Sequence, residues 1–181
     1  KYELEHKPSF PISIANLYDK FLFNSKFVNF VENITNISNL HFDADFVGNS
    51  RSGGLNAVEK GGMLIRHADF NYSNDLKLYR AVNVLLYLNK NWKLEDGGNL
   101  DLWDKEMKGP PTSIIPIFNR CLIFATNSQS YHGYNEVLTE NIRKSLNLYY
   151  FTKLPAVLVS SEPKKTDWKP LNQSELNVVE K

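Results

Sequence analysis

Between residues 63 and 152 the chain is a succession of short apolar runs, each closed by a cluster of Gly, Pro, Asn or Asp. Runs this short, with period-two alternation and frequent breakers, are strand signals, and no long helical pattern interrupts them. The strand candidates are 63–69, 80–89 (RAVNVLLYLN), 99–103 after the Asp96-Gly97-Gly98 turn, 114–118, 121–126 and 143–152. The expected class is therefore mainly β with flanking N-terminal helices, in the form of a jelly roll or a related sandwich.

The remaining segments flank this block. Ile14, Leu17, Phe21, Val28 and Val31 recur at helical spacing, and Ser13 stands where a cap would. Together they predict a helix over 13–37 that the asparagine-rich stretch 33–39 ends. Five glycines with Ser50, Arg51 and Ser52 make 48–62 read as a mobile loop. From Pro155 the chain turns charged and proline-punctuated. The expected organisation is one domain over 1–154, helical to residue 40 and jelly roll from 41, followed by a C-terminal extension over 155–181. The chain begins at Lys1 instead of a methionine, so a processed or trimmed start is expected.

Composition removes several function classes. A net charge of +1 offers no basic field for nucleic acid. No apolar run reaches the roughly 18–20 residues of a membrane span. The single cysteine, Cys121, permits no intrachain disulfide and fits a reducing, cytoplasmic compartment. Four Asn-x-Ser/Thr triplets (at Asn33, Asn36, Asn71 and Asn172) are little more than an asparagine-rich chain produces by chance.

Four histidines carry most of the chemical interest, and two of them, His41 and His67, stand in His-x-Asp triplets. His67 and Asp69 fall at the end of a strand, where residues two apart point to the same side and can grip one ion. His41 precedes the strand-rich region and is the weaker candidate. His132, just past the apolar run CLIFAT, supplies a third ligand. Two imidazoles and one carboxylate on one face of a metal leave positions open, the arrangement of non-haem iron(II) centres. Taken singly, His67 and His132 read better as structural histidines than as ligands.

The strand RKSLNLYYFT adds weight. Alternation puts Arg143, Ser145, Asn147 and Tyr149 on one face and Leu146, Leu148 and Tyr150 on the other. A polar row facing into a sandwich is costly unless a polar ligand fills the space. An arginine fork with a serine two residues on suits a carboxylate, and Tyr87, on the face of Asn83 and Leu85, can offer its hydroxyl to the same group. The plainer alternatives are a surface arginine and a packed core tyrosine.

Residues 61–152 resemble the iron(II)- and 2-oxoglutarate-dependent oxygenases, in particular their prolyl 4-hydroxylase-like branch. The resemblance lies in GGMLIRHADFN, RAVNVLLYLNKNW, EDGGNLDLWD, PIFNRCLIFATNSQSYHG and RKSLNLYYF. The YLN-x-x-W segment with its following GG-x-L is more diagnostic than His-x-Asp. The resemblance implies a double-stranded β-helix, the jelly-roll form of that family. It implies iron(II) held by His67, Asp69 and His132, and 2-oxoglutarate bound by Arg143, Tyr87 and Ser145. Dioxygen would be consumed, with ascorbate as an optional reductant. It further implies Arg80 as a peptide contact, with Arg51 of the glycine-rich segment offered as a second. The implied reaction is hydroxylation of an unactivated C–H bond, on a prolyl residue of a protein or peptide, with release of succinate and carbon dioxide. A further tyrosine that the family often carries before His67 has no counterpart in 56–62. The alternatives are a free amino acid or other small molecule as substrate, a metal-dependent hydrolase or cupin-like dioxygenase, and a non-catalytic jelly-roll binding module. A halogenase is disfavoured by Asp69, which occupies the position that a halide would need.

Overall fold

A computed structural model of the chain describes residues 2–4, 11–42, 53–156 and 162–179. Among these residues eleven strands form two sheets. They are β1 (Tyr2–Leu4), β2 (Gly53–Val58), β3 (Leu64–Ala68), β4 (Tyr72–Ser73), β5 (Leu78–Tyr87), β6 (Leu100–Leu102), β7 (Thr112–Ile114), β8 (Cys121–Ala125), β9 (His132–Tyr134), β10 (Arg143–Thr152) and β11 (Asp167–Trp168). The larger sheet runs β1-β2-β10-β5-β4, with β8 also pairing β5. The smaller runs β11-β3-β9-β6-β7. All named pairs are antiparallel. Strands distant in sequence lie side by side, β10 between β2 and β5 and β9 between β3 and β6, which is how a jelly roll closes its edges. The fold is the double-stranded β-helix expected from the sequence.

Three apolar clusters explain the layering. Leu146, Leu148 and Tyr150 of β10 and Val82 and Val84 of β5 turn to the outer face of the larger sheet. There they meet the helical layer through Tyr18, Leu22, Val28 and Val31. The opposite faces of the two sheets meet through Leu85, Tyr87 and Leu100, and through Val58, Trp92 and Tyr134. The polar row Arg143, Ser145, Asn147 and Tyr149 points between the sheets, as alternation in β10 requires.

The helical layer is broken where one helix was expected over 13–37. Helix α1 (Ile12–Leu17) runs into a π-helical turn (Tyr18–Leu22), and α2 (Ser25–Thr35) starts afresh. Ser13 caps nothing; Asn24 caps α2 by accepting from Lys26 N at 2.9 Å. Asn36 ends α2 in the left-handed region at φ 54°, which asparagine tolerates. The break turns Tyr18 inward, where its hydroxyl donates to Asn147 O at 2.7 Å and to Gly54 O at 3.2 Å. Tyr150 answers by donating to Leu22 O at 2.5 Å.

Tyr18→Phe is expected to cost about 1–2 kcal/mol, because buried carbonyls lose their donor. Denaturant titration measures it. Burial pushes the Tyr18 and Tyr150 hydroxyls above the ordinary tyrosine value. A folded pKa above the unfolded one means stability is intact below pH about 10 and declines as pH rises beyond it. Tyr18→Phe should make that alkaline decline shallower.

Three expectations change. Part of the glycine-rich stretch, 53–58, is not a loop but β2, paired with β10 and β1. The strand expected over 114–118 ends at Ile114, and Pro116 follows in irregular chain whose carbonyl accepts from Asn89. The C-terminal extension carries elements that the sequence reading did not place: β11 adds itself to β3, and α3 (Gln173–Val179) follows. A two-residue strand has no period to read, so no sequence signal marked it.

Candidate active site

A cavity of about 230 Å³ opens between the sheets, several times the space one water needs. His67, Asp69 and His132 line one part of it. His67 sits on β3 directly opposite His132 on β9, with their Cα atoms paired in register. Gly133 makes that pairing possible, since a Cβ there would lie 2.6 Å from Leu64 O. Their ligand atoms and those of Asp69 all fall within 4.8 Å of one another. His67 Nε2 is 3.4 Å from Asp69 Oδ1, and His132 Nε2 is 3.5 Å from Asp69 Oδ2.

Each imidazole is oriented through its other nitrogen. His67 Nδ1 lies 2.9 Å from Ile65 O and His132 Nδ1 2.9 Å from Ser130 O. A carbonyl can only accept, so Nδ1 carries the proton and Nε2 turns toward Asp69. Burial holds the His132 pKa below its ordinary value, partly opposed by Asp69, so the ring is neutral near pH 7. A lone pair on His132 Nε2 facing a carboxylate is unfavourable unless a cation lies between them. The donor set therefore fits a metal ion with open positions.

Asp69 is itself held. Burial alone would raise its pKa, but the Arg80 guanidinium holds it well below the carboxylate range. Arg80 Nη2 sits 3.0 Å from Asp69 Oδ2, and Asn83 Nδ2 donates to the same oxygen at 2.9 Å. Arg80 Nε donates to Asn83 Oδ1 at 2.9 Å, and its guanidinium lies 3.5 Å from the centre of the Tyr149 ring. Arg80 is thus buried and committed to Asp69, where the resemblance implied a peptide contact. Arg80→Met should weaken metal affinity by about 10–100-fold, as loss of a partner behind a ligand does. A metal titration followed by calorimetry checks it.

Arg143 occupies another part of the cavity wall, buried to 3% exposure. Its Nε donates to Gly98 O at 2.7 Å, and its guanidinium faces the Tyr134 ring at 4.3 Å and the Tyr87 ring at 5.2 Å. Among the described residues no carboxylate forms an ion pair with it. The Tyr87 hydroxyl is buried with no aligned hydrogen-bond partner. Burial raises its pKa, and the nearby Arg143 partly offsets that rise. A buried guanidinium with no carboxylate paired to it among the described residues, beside a buried hydroxyl, is a socket for an anion. Ser145 lines the same cavity and donates to Asn147 Oδ1 at 3.0 Å.

The segment around YLN-x-x-W builds this socket. Asn89 donates to Pro116 O and Lys144 O and accepts from Lys144 N at 2.6 Å, pinning the start of β10. Trp92 Nε1 donates to Gly97 O at 3.0 Å. Gly97 and Gly98 stand at φ 71° and 64°, and a Cβ on Gly98 would lie 2.9 Å from Arg143 Cδ.

A family model described as the 2OG-Fe(II) oxygenase superfamily matches residues 53–151, more than half of the chain. The chain belongs to that superfamily. It is 32% identical over 77 residues to prolyl 3-hydroxylase OGFOD1 of Mus musculus. That match covers 40% of this chain and 14% of the mouse protein, so the chain corresponds to a small part of its curated relative. Among solved structures it is similar to a prolyl 4-hydroxylase from Phytophthora capsici, with a TM-score of 0.60 and 18% identity over 97% of this chain and 53% of that one. It is also similar to HygX from Streptomyces hygroscopicus with nickel and 2-oxoglutarate bound, with a TM-score of 0.55 and 13% identity over 87% and 80% of the two chains. Those structures show the shared fold.

For a 2OG-Fe(II) oxygenase the residues present fit both groups, the cation at the converging Nε2 and carboxylate atoms and the anion at Arg143. His41 stands elsewhere: it bridges Phe151 and lines a separate cavity. Arg51 and Asp43 lie outside the described residues. Sequence reasoning missed Asn56, Tyr134, Thr166 and Trp168 as lining residues. Asn56 sits within a stretch read as loop, and Trp168 reaches the cavity through β11. Only Tyr134, two residues beyond His132 on the same strand face, carried a usable signal.

Proposed function

We propose that the chain is a 2-oxoglutarate-dependent dioxygenase that hydroxylates a prolyl residue of a protein or peptide. His67, Asp69 and His132 hold iron(II); Arg143, Tyr87 and Ser145 receive the far carboxylate of 2-oxoglutarate. When bound, these groups supply the oxidising chemistry: with dioxygen the cosubstrate becomes succinate and carbon dioxide, and a C–H bond of the substrate is hydroxylated. The chain's own residues position and insulate. Ile65 and Ser130 fix the imidazole tautomers, Arg80 and Asn83 keep Asp69 ionised, and the closed sandwich limits water.

The observation that carries this reading is the pairing, in one cavity, of a three-ligand cluster with a buried arginine that no carboxylate among the described residues meets. Likeness to a prolyl 3-hydroxylase supports the choice of a prolyl residue. The test incubates the purified protein with iron(II), 2-oxoglutarate and a library of proline-containing peptides, with free proline and other free amino acids in parallel. Succinate release coupled to a gain of one oxygen atom in a peptide is the expected result. Oxygen gain in a free amino acid, with every peptide unmodified, would overturn the peptide substrate.

A further inference from the structure

The C-terminal segment 162–169 is strapped across the site by bonds that have no part in the chemistry described above. Asn71 Nδ2 donates to Glu162 O at 2.9 Å, and Asn71 Oδ1 accepts from Lys164 N at 2.6 Å. Tyr131 Oη donates to Asp167 Oδ2 at 2.9 Å. Arg66 closes the far end, its Nη2 donating to Lys169 O at 2.8 Å while Lys169 N donates to Arg66 O. Between these anchors β11 pairs with β3 in a register that sets Trp168 against His67. The Trp168 ring centre lies 4.6 Å from that of His67 at an interplanar angle of 34°. The indole is still 38% exposed and lines the cavity with Thr166.

We propose that this strap is the substrate-facing wall of the active site and that Trp168 is a specificity-determining residue for an apolar ring. The inference rests on the prolyl reading and deepens it. Four backbone and side-chain anchors fix a two-residue strand that has almost no core of its own. The one large apolar group they present is left half open beside a metal-ligand candidate. Phe70 and Tyr149 line the same cavity, so an incoming ring meets aromatic surface on several sides. A saturated five-membered ring packs well on a flat π-face and brings no charge to be desolvated.

Two readouts test it on the full chain. First, cobalt(II), a paramagnetic quencher, is titrated while tryptophan emission is followed. Trp168 is one of three tryptophans, and Trp168→Phe should lose most of the metal-dependent quenching. Full quenching in Trp168→Phe would mean the strap does not lie over His67, and the proposal falls. Second, Michaelis constants are measured on a proline-containing peptide that the wild type accepts. Trp168→Ala should raise the peptide KM about tenfold, with Trp168→Phe restoring most of it and the KM for 2-oxoglutarate moving less than about twofold. An unchanged peptide KM in Trp168→Ala overturns the proposal, and a changed cobalt affinity in its place would make Trp168 a mere support for His67. If the wild type accepts no peptide, the prolyl reading fails, while the quenching result still decides where the strap lies.

Discussion

Replacing His67 by alanine is expected to bring succinate release below detection while the protein still folds. His67 is one of three converging ligand atoms, and two donors do not hold an ion in a site built for three. The fold should survive because the imidazole lines an existing cavity and its hydrogen bond to Ile65 O is local. Asp69→Ala offers a sharper contrast. It too should abolish turnover, but it strands the Arg80 guanidinium, which is buried and paired to that carboxylate at 3.0 Å. Removing one partner of a buried pair costs about 3–5 kcal/mol, so this variant should also melt well below the wild type. Succinate assays with thermal melts on both variants measure the difference. Undiminished succinate release by His67→Ala would remove the metal assignment altogether.

Arg143→Ala is expected to raise the KM for 2-oxoglutarate by about a hundredfold, the equivalent of about 3 kcal/mol for a buried charge-assisted contact. Its effect on folding should be small. Wild-type Arg143 is a desolvated charge with no carboxylate partner among the described residues, so deleting it removes an unfavourable burial along with the bond to Gly98 O and the packing on Tyr134. Arg143→Lys should not restore affinity, because an ammonium lacks the planar fork and cannot reproduce both the Gly98 bond and a two-point grip on a carboxylate. Initial rates over a range of 2-oxoglutarate concentrations decide the matter. A KM within twofold of wild type would show that the cosubstrate binds elsewhere.

The variants act at residues whose legibility differed for physical reasons. In β10 the alternation alone separated Arg143, Ser145, Asn147 and Tyr149 from Leu146, Leu148 and Tyr150, and the two rows face cavity and helical layer accordingly. A ten-residue strand buried on both faces repeats its period often enough to be read. Helix α2 was legible for its apolar stripe, yet the break at Tyr18–Leu22 was not, because it depends on Tyr18 finding carbonyls 36 and 129 residues away. The resemblance implies Arg80 as a peptide contact, and the structure sets it in the cavity wall. It is paired with a carboxylate eleven residues earlier, Asp69, which stands just past the end of β3 in the other sheet.

Local chemistry in the sequence determined the strand-rich class, the two-sided β10 and the inventory of groups: two imidazoles, a carboxylate and an arginine of the right types. Those follow from backbone periodicity and side-chain identity, which act over a few residues. Tertiary structure alone decided which groups meet. Pairing of β3 with β9 brings His67 opposite His132, although 65 positions separate them in the chain. Pairing of β11 with β3 carries Trp168 onto His67 from a segment that looked like a tail. Such pairings are fixed by burial and register across the whole sandwich, a cooperative choice that no short stretch of sequence contains.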